Sequence, residues 1–393
     1  MGFIGYFRYR RPAASIVSLA LVVGSLAVAV PQFRAADTLP SQISDEAFWK
    51  IVEDFSEDNG YFTSENFSSN EKGYQTLIPK LLLKWQPGNA YMGVGPEQNF
   101  QYIAALRPKI AFIVDIRRQN MIQHLMYKAA FEMSANRADF LSVVFSRRKP
   151  AGLSETSTTQ QLFETYGRLE RDAALAETNR KAIKDLLIKD HKFRLTDEDL
   201  ETMDHVFDVF ALAGTGINYS SQVSPVTGQL QQGRGGGNNV TYWDLMVLTD
   251  QNGMNRSYLA TEDSYRFMKD LEKKNLLIPV VGNFGGPKAL RAVGQYLKDH
   301  GAIVGAFYLS NVEQYLFRPP NGGGPPVDRQ FYESVGTLPL DESSTFIRSG
   351  NGGGGGRGGG GLTPMMSSIM DVLRAFRAGR INTQQDVISM STN

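Results

Sequence analysis

Gly93, Gly95 and Asp115 are the residues of this 393-residue chain best spaced to do chemistry. The run Ala90-Tyr91-Met92 leads into Gly93-Val94-Gly95-Pro96-Glu97-Gln98-Asn99, and twenty residues after Gly95 a second apolar run, Ile110 to Val114, ends at Asp115. Strand, glycine turn, helix and a second strand ending in an acid make up a Rossmann-like βαβ unit. The glycines let a ligand approach the backbone, and the acid holds a ribose diol. The glycine pattern stops short, because Gln98 stands where a third glycine belongs, and Glu97 in the first helical turn repels a pyrophosphate. NAD and FAD are therefore disfavoured. S-adenosylmethionine, a sulfonium cation with a ribose and no phosphate, suits the pattern better. The alternative is that Gly93 and Gly95 only make a tight turn and Asp115 caps the next helix.

A second unit of the same kind lies far along the chain. Leu276 to Val281 reads as a buried strand, Gly282-Asn283-Phe284-Gly285-Gly286 as a glycine turn, and Pro287 as the start of a helix that buries Leu290, Val293 and Leu297 and stops at Gly301. Ile303 to Leu309 is the next strand, followed by Ser310-Asn311-Val312-Glu313. Ligands of doubly wound sheets bind beyond the carboxyl ends of the strands. Gly93, Gly95, Glu97, Asn99, Asp115, Arg117, Asn283 and Asn311 are accordingly the candidate cofactor-binding residues of one cleft for a nucleoside-like small molecule. The alternative for Asn283, Asn311 and Glu313 is that they only satisfy loop backbone groups. His124, with no placed partner, reads as structural rather than catalytic.

The elements that must position these residues make an α/β protein, with a mostly parallel sheet flanked by helices. Residues 37–88 form an N-terminal helical segment, in which Ser44 or Asp45 caps a helix bearing Phe48, Ile51, Val52 and Phe55 on one face. Residues 89–393 are the Rossmann-like domain. Met121, Leu125, Ala129 and Met133 mark the buried stripe of its second helix. Residues 135–215 are a helical insertion, read as a lid, in which Thr196 and Asp199 start a helix. Glycine-rich loops occupy 233–239, 319–326 and 349–361. Late in the chain, Ser344 to Arg348 reads as a strand, Thr363-Pro364 as the start of a helix through Ile369, Leu373 and Phe376, and Asp386 to Met390 as a last strand.

Composition narrows the function classes. Lys+Arg 41 against Asp+Glu 40 is near balance, and four of the basic residues fall in the first 36, which hold no acid. The remainder is slightly acidic, so no nucleic acid partner is expected. Arg8, Arg10 and Arg11 precede the uncharged stretch Ala13 to Val30, as in an export signal, and Ala27-Val28-Ala29 offers small residues for cleavage. Residues 1–36 are therefore a signal peptide or, uncut, an N-terminal anchor just long enough to span a bilayer. The expected location is the periplasm or cell envelope, with membrane contact only through that segment. With no cysteine and only four histidines, neither a Cys/His metal site nor a cysteine nucleophile is available. A hydrolase lacks a Gly-x-Ser-x-Gly elbow.

The stretches 91–118, Ser257 to Glu262 and 280–316 resemble an uncharacterised family of exported bacterial proteins with a class I methyltransferase-like Rossmann fold, over residues 45 to 393. The resemblance implies that Gly93 and Gly95 lie in a cofactor loop and that Asp115 holds the ribose of S-adenosylmethionine. It names no catalytic residue: no Asn-Pro-Pro-Tyr or Asp-Pro-Pro-Tyr motif is present, and Asn283-Phe284-Gly285-Gly286 does not replace one. A methyltransferase-like enzyme and a non-catalytic envelope binding or scaffold protein on the same fold both remain open.

Overall fold

In the computed structural model, residues 1–3, 5, 37–224, 226–232, 240–319, 323–351 and 362–392 are described. The expected export segment and the glycine runs 233–239 and 352–361 lie outside them, apart from residues 1–3 and 5. Among the described residues no helix is long and apolar enough to cross a membrane.

The chain runs α1 (Asp45–Phe55), α2 (Tyr74–Lys84), β1 (Ala90–Gly93), α3 (Gln98–Leu106), β2 (Ala111–Asp115), α4 (Arg118–Met133), α5 (Arg137–Phe145), α6 (Thr159–Gly167), α7 (Ala173–Asp185) and α8 (Asp197–Ala213). A small hairpin of β3 (Ser221–Val223) and β4 (Leu230–Gln232) follows, then α9 (Tyr242–Val247) and α10 (Glu262–Lys273). The chain re-enters the sheet with β5 (Leu277–Val281), α11 (Ala289–Asp299), β6 (Val304–Ser310), α12 (Glu313–Leu316), α13 (Asp328–Val335) and β7 (Thr345–Asn351). It ends with β8 (Leu362–Ser368), α14 (Ile369–Arg377) and α15 (Gln384–Ser389).

Six strands form the sheet, in the order β5-β2-β1-β6-β7-β8. The first five are parallel and β8 is antiparallel to β7. Counting only these strands along the chain, the order is third, second, first, fourth, fifth, sixth, that of a doubly wound Rossmann-like sheet. The order reverses between β1 and β6. β1, β2 and β5 are buried along their whole length because helices cover both faces, and so they read as unbroken apolar runs. α3, α4 and α10 pack together on one face, whereas α11 and α13 pack together on the other. Prolines mark the two edges: Pro279 lies in β5 and Pro364 in β8, where a missing N–H interrupts no ladder.

Four expectations change. α4 is not a striped crossover helix but is buried on all sides, Gln123, His124 and Lys128 included, while Met133 is only half-buried. The cause is the insertion, whose α5 and α8 pack on α4 and contribute fully buried Phe140 and Phe210, so it is a structural layer rather than a lid. The apolar run Phe140 to Phe145 is helical within α5, started by Asn136. Residues 386–390 do not return to the sheet: Thr383 and Asp386 form a capping box that starts α15. The late helix begins at Ile369 with Ser368 as its cap, since the residues before it are held as β8 by pairing with β7. The capping box at Thr196 and Asp199 is present as expected.

Candidate functional site

The carboxyl edge of the sheet, where the candidate residues lie, is covered by the chain itself. Residues 56–73, between α1 and α2, form a strap that crosses the strand ends in their spatial order. Over β5, Glu57 donates its N–H to Val281 O (2.8 Å), and Ser56 Oγ accepts from Val281 N (3.0 Å). Over β2, Gly60 N donates to Ile116 O (2.8 Å), and Asn59 Oδ1 accepts from Arg118 N (2.8 Å). Over β1, Ser68 Oγ donates to Glu97 Oε1 (2.9 Å) and Ser69 N to the same oxygen (3.3 Å). Beyond β6 and β7, Glu71 accepts from the hydroxyls of Ser310 and Ser349. At β8, Gly73 lies flat against Pro364, leaving no room for a side chain: a Cβ would stand 2.3 Å from the ring.

Asp115 ends β2 and is buried, as expected of a ribose-binding acid. Its carboxylate is nevertheless taken. Arg117 Nε lies 3.0 Å from Oδ1 and Nη2 3.1 Å from Oδ2, a two-pronged pair, and Arg117 N also donates to Oδ1 (2.9 Å). The remaining prong, Nη1, binds the carbonyls of Ser64 (3.0 Å) and Glu65 in the strap. Arg117 therefore couples the acid to the strap through a planar fork that a lysine cannot reproduce.

The first glycine turn is drawn inward. Asn99 Nδ2 donates to the carbonyls of Val94 (2.9 Å), Gly95 (3.2 Å) and Pro96 (2.8 Å), while its Oδ1 accepts from the Tyr91 hydroxyl (2.9 Å). Gly93 makes space for that amide: a Cβ there would stand 1.8 Å from Asn99 Oδ1. Gly95 has φ +79°, the left-handed region glycine favours, and faces Asn66 of the strap. His124 Nε2 meets Gly95 O at 2.9 Å, and because a carbonyl only accepts, Nε2 carries the proton. Burial pushes the His124 pKa down to about 4, so the ring is neutral. It braces the turn.

Glu97 is buried against Ser68 and Ser69, and that burial pushes its carboxyl up to about 7. Burial likewise raises Glu71, opposed by hydrogen bonds from Ser310, Ser349 and Tyr308. The second glycine turn holds a third glutamate. Glu57 Oε1 accepts from the N–H groups of Lys288 (2.8 Å) and Ala289 (2.9 Å), and Oε2 from Asn283 (3.0 Å). This is the anion position at a helix N-terminus, here of α11, filled by the protein's own carboxylate.

The structure thus brings Gly93, Gly95, Glu97 and Asn99 into one turn, with Asp115 and Arg117 at the next strand. Asn283 stands at the far edge of the sheet, exposed, with Oδ1 accepting from Gly285 N (2.9 Å). Asn311 follows β6, with Oδ1 3.5 Å from Ser310 Oγ. β5 and β6 are three strand spacings apart, about 14 Å. The eight candidates therefore line one edge without converging on one open cleft. Glu57, Glu71, Ser310 and Ser349 carry the strap and were not among them.

A family model matches residues 66–201 and 237–356, more than half of the chain. The chain belongs to the DUF7790 family, a domain of unknown function. The DUF7790 match takes in Asn66 to Gly73 of the strap, both glycine turns and Asp115, whereas Ser56 to Glu65 precede it. No curated protein matches the chain.

Proposed function

We propose that this DUF7790 protein is a non-catalytic binding or scaffold protein of the cell envelope, exported by its N-terminal segment. On this reading its methyltransferase-like Rossmann fold has the nucleoside site closed by its own strap. The observation that carries this is the state of Asp115: both carboxylate oxygens are engaged by Arg117, which also holds Ser64 and Glu65. A ribose diol would have to displace a buried charge pair. Glu57 in the second glycine turn and Glu71 at the β6 and β7 ends support the same reading, since each uses polar groups that a ligand would need.

The second reading, an S-adenosylmethionine-dependent methyltransferase, draws support from the retained layout of Gly93, Gly95 and Asp115 and requires the strap to leave. Calorimetric titration of the full chain with S-adenosylmethionine and S-adenosylhomocysteine separates the two. No saturable binding is expected. Micromolar binding that Asp115→Ala abolishes would overturn the non-catalytic reading and begin a search for the methyl acceptor.

A further inference from the structure

Outside the strap, a pocket of about 240 Å³ opens between residues 59–62 and the starts of α4 and α8, just past the end of β2. Asn59, Tyr61, Phe62, Gln119, Glu198 and Thr202 line it, with Arg117, Arg118 and Asp199 in its wall. It lies at the edge where this fold class binds ligands, and the strap that closes the inner site is its wall rather than its occupant.

Its chemistry is specific. Both arginines are already neutralised: Arg117 by Asp115, and Arg118 by Asp199, with Nε to Oδ1 at 2.6 Å and Nη2 to Oδ2 at 2.8 Å. Glu198 adds a negative charge. A phosphate or other anion therefore finds no free cation here and one carboxylate against it. Among the described residues, the side chains of Gln119, Thr202 and Tyr61 have no protein hydrogen-bond partner, and Asn59 uses only its oxygen. The pocket thus presents unused donors and acceptors together, from an amide pair, two hydroxyls and a carboxylate, the mixture that neighbouring hydroxyl groups require.

Aromatic rings continue the site outward. Tyr61 is 77 % exposed, a large ring left in water on an otherwise polar segment. Phe62 lies beneath the Arg117 guanidinium (5.7 Å) and meets Tyr315 of α12 edge to face, with centroids 5.3 Å apart. Tyr315 is itself 43 % exposed. The aromatic ridge runs from the end of β2 across β1 to the end of β6, two strand spacings or about 10 Å. Exposed aromatic surface beside a polar pocket matches a ligand with one apolar and one hydroxylated side, longer than a single ring.

We infer that the pocket between the strap and α8, with the Tyr61-Phe62-Tyr315 ridge, is a binding site for a neutral oligosaccharide. One sugar ring sits against Asn59, Gln119 and Thr202, and the next lies along the aromatic ridge. The inference rests on the closed-site reading, because Asn59, Tyr61 and Phe62 belong to the strap and Arg117, which also lines the pocket, holds the strap to Asp115.

The test is calorimetric titration of the full chain with neutral trisaccharides of glucose (α1,4- and β1,4-linked) and of N-acetylglucosamine, their monosaccharides, and adenosine. The expected result is saturable binding of one trisaccharide, tighter than its monosaccharide. Tyr61→Ala and Gln119→Ala should each weaken it by about tenfold or more, with unchanged melting temperature, as both side chains are at least partly exposed. Absence of binding by every trisaccharide, binding that neither substitution alters, or adenosine binding that Tyr61→Ala abolishes would each overturn it. Titration of the parent chain with S-adenosylmethionine tests the closed-site reading by itself: its binding would overturn that reading, whereas absence of trisaccharide binding with no S-adenosylmethionine binding overturns this inference alone.

Discussion

Replacing Arg117 by alanine tests whether the strap is locked to the sheet through Asp115. The substitution removes a two-pronged ion pair whose side chains are 7 % and 6 % exposed, and it strips donors from the carbonyls of Ser64 and Glu65. Breaking a buried pair by removing one partner costs about 3–5 kcal/mol, because the other charge is left uncompensated. Asp115 keeps one hydrogen bond, from the backbone N–H of position 117 itself, which favours the lower end. A loss of about 3 kcal/mol in a unit of this size lowers the melting temperature by about 4 °C. The assay is thermal denaturation with hydrogen exchange read over residues 60–69, where protection should fall first. Asp115→Asn in the Arg117→Ala background removes the stranded charge and should recover about half of the loss. A melting temperature within about 1 °C of the parent, or no recovery in the double variant, would refute the lock.

Two other outcomes follow from the glutamates. Burial raises Glu97 to about 7 and Glu272 to about 8, both from 4.5. Their protonated forms favour the fold, so the stability they contribute is complete below about 4.5 and is lost as pH rises through 7 and 8. His124, lowered from 6.5 to about 4, works the other way, and its contribution is complete above 6.5. Between pH 6.5 and 8.5 about 2 kcal/mol should be lost through Glu272 and less than 1 kcal/mol through Glu97, and His191 and His205, both raised from 6.5, add a loss of the same sign. Urea unfolding at the two pH values measures this, and Glu272→Gln should reduce the change by about 2 kcal/mol. Glu57→Ala uncaps α11 and should cost about 1–2 kcal/mol while loosening residues 56–60 in hydrogen exchange; unchanged protection there would mean that Glu57 does not anchor the strap.

The parts legible in the sequence are those whose signals are local. β1, β2, β5 and β6 appear as apolar runs because both faces of a parallel sheet are buried, and α8 and α11 carry their own caps or stops. Asp115 stands at the strand end where its spacing put it. The strap was not legible. Residues 56–73 are polar and irregular, and Phe67 is the only apolar side chain among them that is fully buried. Their partners lie at Val281, Ile116, Glu97, Ser310 and Ser349, up to 278 positions away. No period of 2 or 3.6 marks a segment held by its backbone and by three glutamates rather than by an apolar face. Residues 386–390 differ for the opposite reason: Val387 and Ile388 are β-branched, but the Thr383-Asp386 capping box, which begins three residues before the run, is the stronger local signal.

The same contrast explains why a cofactor pattern and a closed site coexist. Gly93, Gly95 and Asp115 satisfy the geometry of a βαβ unit whatever lies beyond it, because the tight turn and the buried strand end are demands of the fold. Occupancy of the edge is decided by whichever polar groups reach it. The backbone N–H groups at the start of α11, serines at β6 and β7 and the Arg117 fork all meet partners from one continuous 18-residue segment. Covalent connection makes those partners present at high effective concentration, so a free nucleoside must outcompete groups that never diffuse away. A ligand that meets the outer pocket faces no such competitor. The exposed ring of Tyr61 and the unpaired Gln119 amide are therefore the better place to look for what this protein binds.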